Sequence, residues 1–378
     1  MKIGILTLPQ ETNYGGILQA FALQHTLRKM GHEVMTIDRH NHRGHTAFLP
    51  QMGGCVRRLF RHYLLGDPVT TRWNAAMTDE EYGIISQHTQ KFIDRNISLT
   101  RQIYSEQLSE IEQEYRFDAY VVGSDQVWLE KYCPASFLDF VKRPGVVKVT
   151  YAASCGSHSF FDNSAIVSQC KTLACQFSGI SVRERHLISL CKERLRVDAH
   201  WVLDPTMLLS PQEYMSSIRA DDSQQGKVFT YILDRTPEKN RIVGAVAERL
   251  GQQVVEGNSA LPFDPSRQTD INKCIFASVD DWLNGINNAS FVVTDSFHGT
   301  VFAILFNKPF VTIGNRKRGM ARFESLLGLF DLEQRLVFDN GIEQVNKLLT
   351  MPIDYEQVNA VLRQKRTESI EFLKNSLK

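Results

Sequence analysis

The run Phe291-Val-Val-Thr-Asp-Ser-Phe-His-Gly-Thr-Val-Phe-Ala-Ile-Leu-Phe-Asn-Lys-Pro-Phe310 constrains the fold more than any other stretch of this chain. Phe291–Thr294 is short, apolar and β-branched, so it reads as a buried strand. Residues 301–306 read as a packed helix, Pro309 ends it, and Phe310–Ile313 starts another strand. Between strand and helix sit Asp295, Ser296, His298, Gly299 and Thr300. Open α/β sheets place their ligand sites at this junction, beyond the carboxyl end of a strand. The free N–H groups of a helix start favour an anion, and Gly299 would let one come close. His298 is a candidate general acid or base. The plainer alternative has His298 at the helix cap and Ser296 bonded to backbone.

The start of the chain repeats the design. Residues 2–8 form an apolar strand, and Asn13-Tyr14-Gly15-Gly16 is a glycine turn. Ile17, Leu18, Phe21, Leu23 and Leu27 mark an amphipathic helix closed by Gly31, and residues 33–38 form the next strand. Such a βαβ unit belongs to a parallel, Rossmann-like sheet. The turn lacks the full Gly-x-Gly-x-x-Gly pattern, so no dinucleotide fingerprint is supported. Residues 40–115 read as mostly helical and polar, with no clear strand. The strand pattern resumes at 118–123, 148–152, 180–182 and 200–203, after which Asp204-Pro205 reads as a break. A polar loop at 221–226 precedes a second α/β series, and a helix over 356–377 ends the chain. The expected organisation is a domain over 1–222 with a helical insertion at about 40–115, a second domain over 223–350, and a 351–378 helix crossing back to the first.

Composition excludes several classes. A net charge of +1 over 378 residues offers no global basic field, so nucleic acid is not an expected partner. The apolar run at the start is too short for a signal peptide, and no apolar stretch is long enough to cross a bilayer. Seven cysteines, at 55, 133, 155, 170, 175, 191 and 274, include no Cys-x-x-Cys pair. They read as free thiols in a reducing cytosol, which makes the sequons at Asn96 and Asn288 chance matches. His40, His42 and His45 have no nearby Cys or carboxylate to complete a ligand set, so no metal site is expected.

Other segments carry candidate chemistry. In residues 118–128 a buried strand ends in Gly123-Ser124-Asp125, followed by Trp128. Asp125 could accept a proton or bind sugar hydroxyls, and Trp128 could stack on a sugar face; the alternatives are an N-cap and a core tryptophan. Tyr151-Ala-Ala-Ser-Cys-Gly156 ends a strand in small residues, which admits either a ligand or tight packing. Arg183, in Ser181-Val-Arg-Glu184, sits at a strand end and suits bidentate carboxylate or phosphate binding, or else pairs with Glu184 at the surface. Gly314-Asn-Arg-Lys-Arg-Gly-Met-Ala-Arg322 is a basic loop whose Arg316, Arg318 and Arg322 could close over an anion, or remain a solvated charge run. Over residues 56–65, Val56, Leu59, Phe60, Tyr63 and Leu64 share one helical face and Arg57, Arg58, Arg61 and His62 the other. Such a helix lies on an anionic membrane or, more commonly, packs its apolar face in the core.

Taken in order, these motifs resemble the polysaccharide pyruvyl transferase family. The match runs from Asn13-Tyr-Gly-Gly-Ile-Leu-Gln-Ala through Val122-Gly-Ser-Asp-Gln-Val-Trp128, Tyr151-Ala-Ala-Ser and Ser181-Val-Arg-Glu184. It continues through Val202-Leu-Asp-Pro205 to Thr294-Asp-Ser-Phe-His-Gly-Thr300. The resemblance implies a GT-B-like α/β fold, with two Rossmann-like domains facing each other across a cleft. It implies transfer of the pyruvyl group of phosphoenolpyruvate onto two hydroxyls of a sugar in an exopolysaccharide or its lipid-linked precursor, giving a cyclic ketal and phosphate. Phosphoenolpyruvate is then the donor substrate, and no cofactor is expected. The family's donor-site Arg and His match Arg183 and His298, and Ser296, Gly299 and Thr300 would hold the donor at the helix start. Apart from the family's pattern, Asp125 is expected to act as a catalytic carboxylate on the acceptor side, where Ser124, Trp128, Gly15 and Gly16 would bind the sugar. Some members carry Arg-Leu-His where this chain has Ser296-Phe-His298, so Arg316, Arg318 or Arg322 is expected to supply the missing charge. A lipid-linked acceptor would place this cytoplasmic protein at the inner face of the membrane, with residues 56–65 as its contact. A GT-B glycosyltransferase using a sugar nucleotide is the alternative, although no acidic ribose ligand is evident in the second domain. A non-catalytic sugar-binding protein is a third reading, against which the retention of Arg183 and His298 argues.

Overall fold

Short apolar strands alternating with helices build two parallel sheets. The computed structural model describes the chain except residues 44–47, 66, 74, 157, 160–161, 224, 315–318 and 340, and describes residues 48–54 by their backbone alone. The first half contains β1 (Lys2–Leu6), β2 (Glu33–Thr36), β3 (Arg39–His40), β4 (Ile103–Tyr104), β5 (Ala119–Val122), β6 (Val147–Ala153), β7 (Gly179–Val182) and β8 (His200–Trp201). Six of them form one sheet in the order β2-β1-β5-β6-β7-β8. The second half contains β9 (Val228–Tyr231), β10 (Val254–Glu256), β11 (Phe291–Thr294), β12 (Phe310–Ile313) and β13 (Leu336–Val337), in the order β10-β9-β11-β12-β13. Every residue of β5, β9, β11 and β12 is buried, as parallel strands covered on both faces require. Strand order reverses at β1 and again at β9, so crevices open at the carboxyl ends of β1 and β5 and of β9 and β11.

Residues 40–115 are mainly helical, with helices Phe48–Leu65, Asp79–Asn96 and Leu108–Tyr115. The expectation of no strand there is corrected at β4, which pairs in parallel with β3 through Arg39↔Ile103 and His40↔Tyr104. Two residues are too few to write a period-two pattern into a sequence. No helix among the described residues is long and apolar enough to cross a membrane.

Helix Tyr14–Lys29 departs from the amphipathic expectation. It is buried on every side through its first three turns, because both halves pack on it. Leu23 and Leu27 join Ile3 and Ile5 of the first sheet. Tyr14, Ile17, Leu18 and Phe21 share a core with Trp282, Val301 and Phe302 of the second half. The Tyr14 ring stacks on Trp282 at 5.4 Å, and its hydroxyl donates to the Ala277 carbonyl at 2.9 Å. An Arg95–Asp280 ion pair at 2.7 Å adds a polar tie between the halves. Helix Tyr355–Ser376 spans both: Val358 and Leu362 enter the shared core, whereas Leu373 packs near Ile3 and Ile5.

Candidate active site

β7 delivers Arg183 to the end of the first sheet, where its N–H donates to the Ala153 carbonyl at 3.0 Å. Its guanidinium is almost wholly buried and surrounded by carboxylates. Nη2 donates to Asp125 at 3.2 Å, Nη1 to Asp204 at 2.9 Å and Nε to Glu184 at 3.3 Å. The plane of the guanidinium lies over Phe297, with Cζ 4.4 Å from the ring centroid. Burial alone would push the Arg183 pKa down, but the Asp125, Glu184 and Asp204 charges outweigh it and raise it. Arg183 is therefore already neutralised by protein groups. The sequence leads one to expect Arg183 to grip the donor's anionic groups; it does not line the cleft, and its guanidinium is instead bonded to Asp125, Glu184 and Asp204.

Asp204 is the hub of this cluster. Its Oδ2 accepts from Arg183 and from Ser124 Oγ at 3.1 Å, and its Oδ1 accepts from the Thr206 N–H and hydroxyl at 3.0 and 2.7 Å. Oδ2 also faces His298 Nε2 at 3.7 Å. Burial works to raise the Asp204 carboxyl, yet His298, Arg183 and Thr206 together hold it well below the usual carboxylate range. Burial likewise opposes ionisation of Asp125, and the charges of Arg183, His298 and Arg322 overcome it, leaving its pKa lowered. In the sequence Asp204 reads as half of an Asp-Pro break and carries no signal of a site role. The backbone does turn there, with Asp204 capping the 3-10 turn Pro205–Leu208, and the same carboxylate reaches the histidine of the other half.

Ser296 caps helix Phe297–Leu305 by accepting from the Gly299 N–H at 3.3 Å. That leaves the first-turn N–H groups of Phe297 and His298 without an intrahelical acceptor, the arrangement that binds anions. His298 is 5% exposed, and its Nε2 makes no hydrogen bond among the described residues. The opposite ring nitrogen, Nδ1, lies on the side of Gly15, where a Cβ would stand only 2.0 Å from it.

The cleft between the sheets has a volume of about 1010 Å³, and Asp125, Ser296, His298 and Arg322 all line it. Asn13 and Gly156 border the first-half side. Asp125 adopts a left-handed backbone with φ 71°, which asparagine and aspartate tolerate better than most residues and which turns the chain after β5. Arg322 enters from the first turn of helix Ala321–Leu329, its Cζ 5.8 Å from the Phe297 ring. Among the described residues it is the basic side chain of that loop that lines the cleft. Arg316 and Arg318 lie outside the described residues.

Several expected contacts fall elsewhere. Trp128 is completely buried and stacks on Phe137 at 5.2 Å, so it is a core residue and not a platform for sugar. Ser124 is also buried, donating to the Ala152 carbonyl and to Asp204. Gly15 and Gly16 supply N–H groups to the Asn13 side chain at 3.0 and 3.4 Å, and Gly15 makes room for His298. Gly299 makes room for Thr294, whose Oγ1 would lie 2.3 Å from an added Cβ. Thr300 bonds inward to Ser296 O and Thr312 Oγ1. Asp295 anchors a loop, accepting from the Leu233 and Asp234 N–H groups and from Lys239 Nζ at 2.7 Å. His40 bonds Asp38 and His42 bonds Glu106, whereas His45 lies outside the described residues. Among the described residues no cluster of three or more His, Cys, Asp or Glu side chains is placed to hold a metal ion.

Comparison with known proteins follows the same lines. A family model described as polysaccharide pyruvyl transferase matches residues 13–317. Among solved structures, the glycotransferase of kitacinnamycin is 13% identical over 100% of this chain and 99% of its own, with a TM-score of 0.51. The UDP-GlcNAc 2-epimerase from Methanocaldococcus jannaschii is 14% identical over 94% and 93%, with a TM-score of 0.50. The UDP-N-acetylglucosamine 2-epimerase from Rickettsia bellii is 11% identical over 100% and 97%, also at 0.50. These likenesses identify a GT-B fold. No curated protein matches the chain.

Proposed function

The chain belongs to the polysaccharide pyruvyl transferase family, and from that premise we propose that it transfers the pyruvyl group of phosphoenolpyruvate onto two hydroxyls of a sugar, forming a ketal and releasing phosphate. The observation that carries this reading is His298, set between Asp204 and the cleft beside the unbonded start of helix Phe297–Leu305. The N–H groups of Phe297 and His298, together with Arg322, hold the donor's phosphate and carboxylate. His298 delivers a proton to the methylene carbon, which leaves C2 electron-poor. Asp125, kept ionised by Arg183, accepts a hydrogen bond from the attacking sugar hydroxyl and stabilises the positive charge growing at C2. Its lowered pKa makes it a weak base, so its part is orientation more than proton abstraction. Phosphate departs with the former enol oxygen and takes up the proton of the first hydroxyl, a second hydroxyl closes the ketal at C2, and the proton of that second hydroxyl returns to His298. The reaction needs no further cofactor.

Phosphate release from phosphoenolpyruvate tests the proposal, measured with and without free and lipid-linked oligosaccharides, in wild type and His298→Ala. Acceptor-dependent release that disappears in the variant supports it. Nucleotide sugars that stabilise the protein to heat, where phosphoenolpyruvate does not, would favour the glycosyltransferase alternative instead.

A lipid-linked acceptor at the inner face of the cytoplasmic membrane is part of this reading. On helix Phe48–Leu65 the Val56, Phe60, Tyr63 and Leu64 side chains are 63%, 55%, 74% and 70% exposed. These side chains do not enter a core, and Arg57 and Arg61 are exposed beside them. An apolar face flanked by arginines suits the headgroup region of an anionic bilayer.

A further inference from the structure

Arg39 is buried away from the cleft, only 4% exposed, and among the described residues no carboxylate pairs with it. Its Nη2 donates to the Thr7 carbonyl at 3.0 Å, its Cζ lies 5.3 Å from the Tyr132 ring centroid, and its Nε has no hydrogen-bond partner among the described residues. Burying a cation against one neutral acceptor and one ring is costly, and proteins ordinarily offset that cost with an anion. Arg39 lines a cavity of about 260 Å³ together with Ser105, Ser109 and Lys131. The N-terminal end of helix Leu108–Tyr115 opens on the same space, which adds a partial positive charge. Two carboxylates also border it: Glu106, turned toward His42 at 2.6 Å, and Asp139. One segment serves both spaces: Gln126 and Leu129 line the cleft, and two residues further on Lys131 to Ala135 line the cavity.

We infer that this cavity is an oxyanion subsite, in which Arg39 and Lys131 hold an acidic group of the acceptor while the hydroxyls to be modified lie in the cleft. The inference rests on the transferase reading for the identity of the acceptor. The anion itself is a carboxylate or a phosphate, from a uronic acid in the glycan or from the diphosphate of a lipid carrier. Such a subsite would select acidic or carrier-linked glycans over neutral ones and set which sugar faces His298.

Calorimetric titration of wild type, Arg39→Gln and Lys131→Ala with inorganic pyrophosphate, and separately with glucuronate, tests the inference. Phosphoenolpyruvate is titrated into the same proteins as a control. The expected result is saturable binding of one anion to wild type, at least tenfold weaker in Arg39→Gln and a few fold weaker in Lys131→Ala, with phosphoenolpyruvate affinity unchanged. Binding of pyrophosphate marks a carrier, and binding of glucuronate marks an acidic sugar. Equal binding to wild type and Arg39→Gln, or no binding of either anion to wild type, overturns the inference. Should Arg39→Gln fail to fold, Lys131→Ala and Ser109→Glu decide on the same criterion. Loss of phosphoenolpyruvate binding in wild type would sink the transferase reading yet leave this subsite standing, so the two failures read apart.

Discussion

Gly15 and His298 come from opposite halves of the chain and meet so closely that a single methyl group would come between them. A Cβ on Gly15 would lie 2.0 Å from Nδ1 and 2.3 Å from Cγ of the imidazole, and the ring is too buried to swing clear. Gly15→Ala is therefore expected to displace the imidazole. Displacing a catalytic group by about 1 Å costs on the order of 100-fold in rate. Steady-state phosphate release checks this, with circular dichroism to show that the variant is folded; near-normal turnover would refute the placement of His298.

Asp204 links the buried cation of one half to the histidine of the other. Asp204→Asn keeps the shape but removes the charge that compensates Arg183. Breaking a buried pair in this way costs about 3–5 kcal/mol. Urea unfolding should register that loss, and turnover should fall with it. A variant as stable as wild type would mean that Asp125 and Glu184 suffice to neutralise Arg183.

Stability should fall in acid for a reason specific to this site. Asp125 and Asp204 both have folded pKa values below the unfolded value of about 3.9. Their ionised forms stabilise the fold above that value, and the contribution disappears as pH drops through the folded values. Urea midpoints measured from pH 6 down to pH 3 should decline, and the decline should be shallower in the Asp125→Asn, Asp204→Asn double variant. Equal slopes would place the acid sensitivity elsewhere.

Arg322 and Trp128 should behave in opposite ways. Arg322→Ala removes a cleft cation; a charge-assisted hydrogen bond contributes about 1.5–3 kcal/mol, so phosphoenolpyruvate affinity should weaken roughly 10- to 100-fold with little change in thermal midpoint. Trp128→Ala empties a stacked core position and should cost about 3–5 kcal/mol of stability. The milder Trp128→Phe should leave the acceptor KM where it was, and a raised KM in that variant would restore the sugar-stacking role.

For the exposed helix the measurement is cosedimentation with vesicles of phosphatidylglycerol and phosphatidylcholine. Wild type should pellet with the anionic mixture and be released by salt, whereas Phe60→Glu and Leu64→Glu should stay in the supernatant. Both side chains are more than half exposed, so neither change should disturb folding. Equal pelleting of all three proteins would remove the membrane contact.

What could be read from the sequence follows the range of the forces involved. β11 and β12 are legible because uninterrupted apolar runs between turn signals encode buried parallel strands, and their observed bounds coincide with the expected ones. The position of His298 is legible for the same reason, since a strand-to-helix junction is local. Gly15 is not: its sequence neighbourhood suggests a turn open to ligand, and its actual neighbour is 283 residues away. Asp204 hides behind its own proline, and a turn signal says nothing about a carboxylate's remote partners. Trp128 shows the converse error, since tryptophan serves equally in cores and at sugar sites, and only the Phe137 ring against it separates the two.

The helix that begins at Tyr14 has consequences for how such a protein can be recombined. Its Tyr14, Ile17 and Leu18 side chains complete the interior of the partner half, so neither half is self-sufficient when cut at the linker. A chimaera carrying a foreign donor half would expose this apolar surface unless the incoming sequence brought matching residues at Trp282, Val301 and Phe302. Exchange of specificity within this architecture is therefore easier through the loops that border the cleft than by shuffling whole halves.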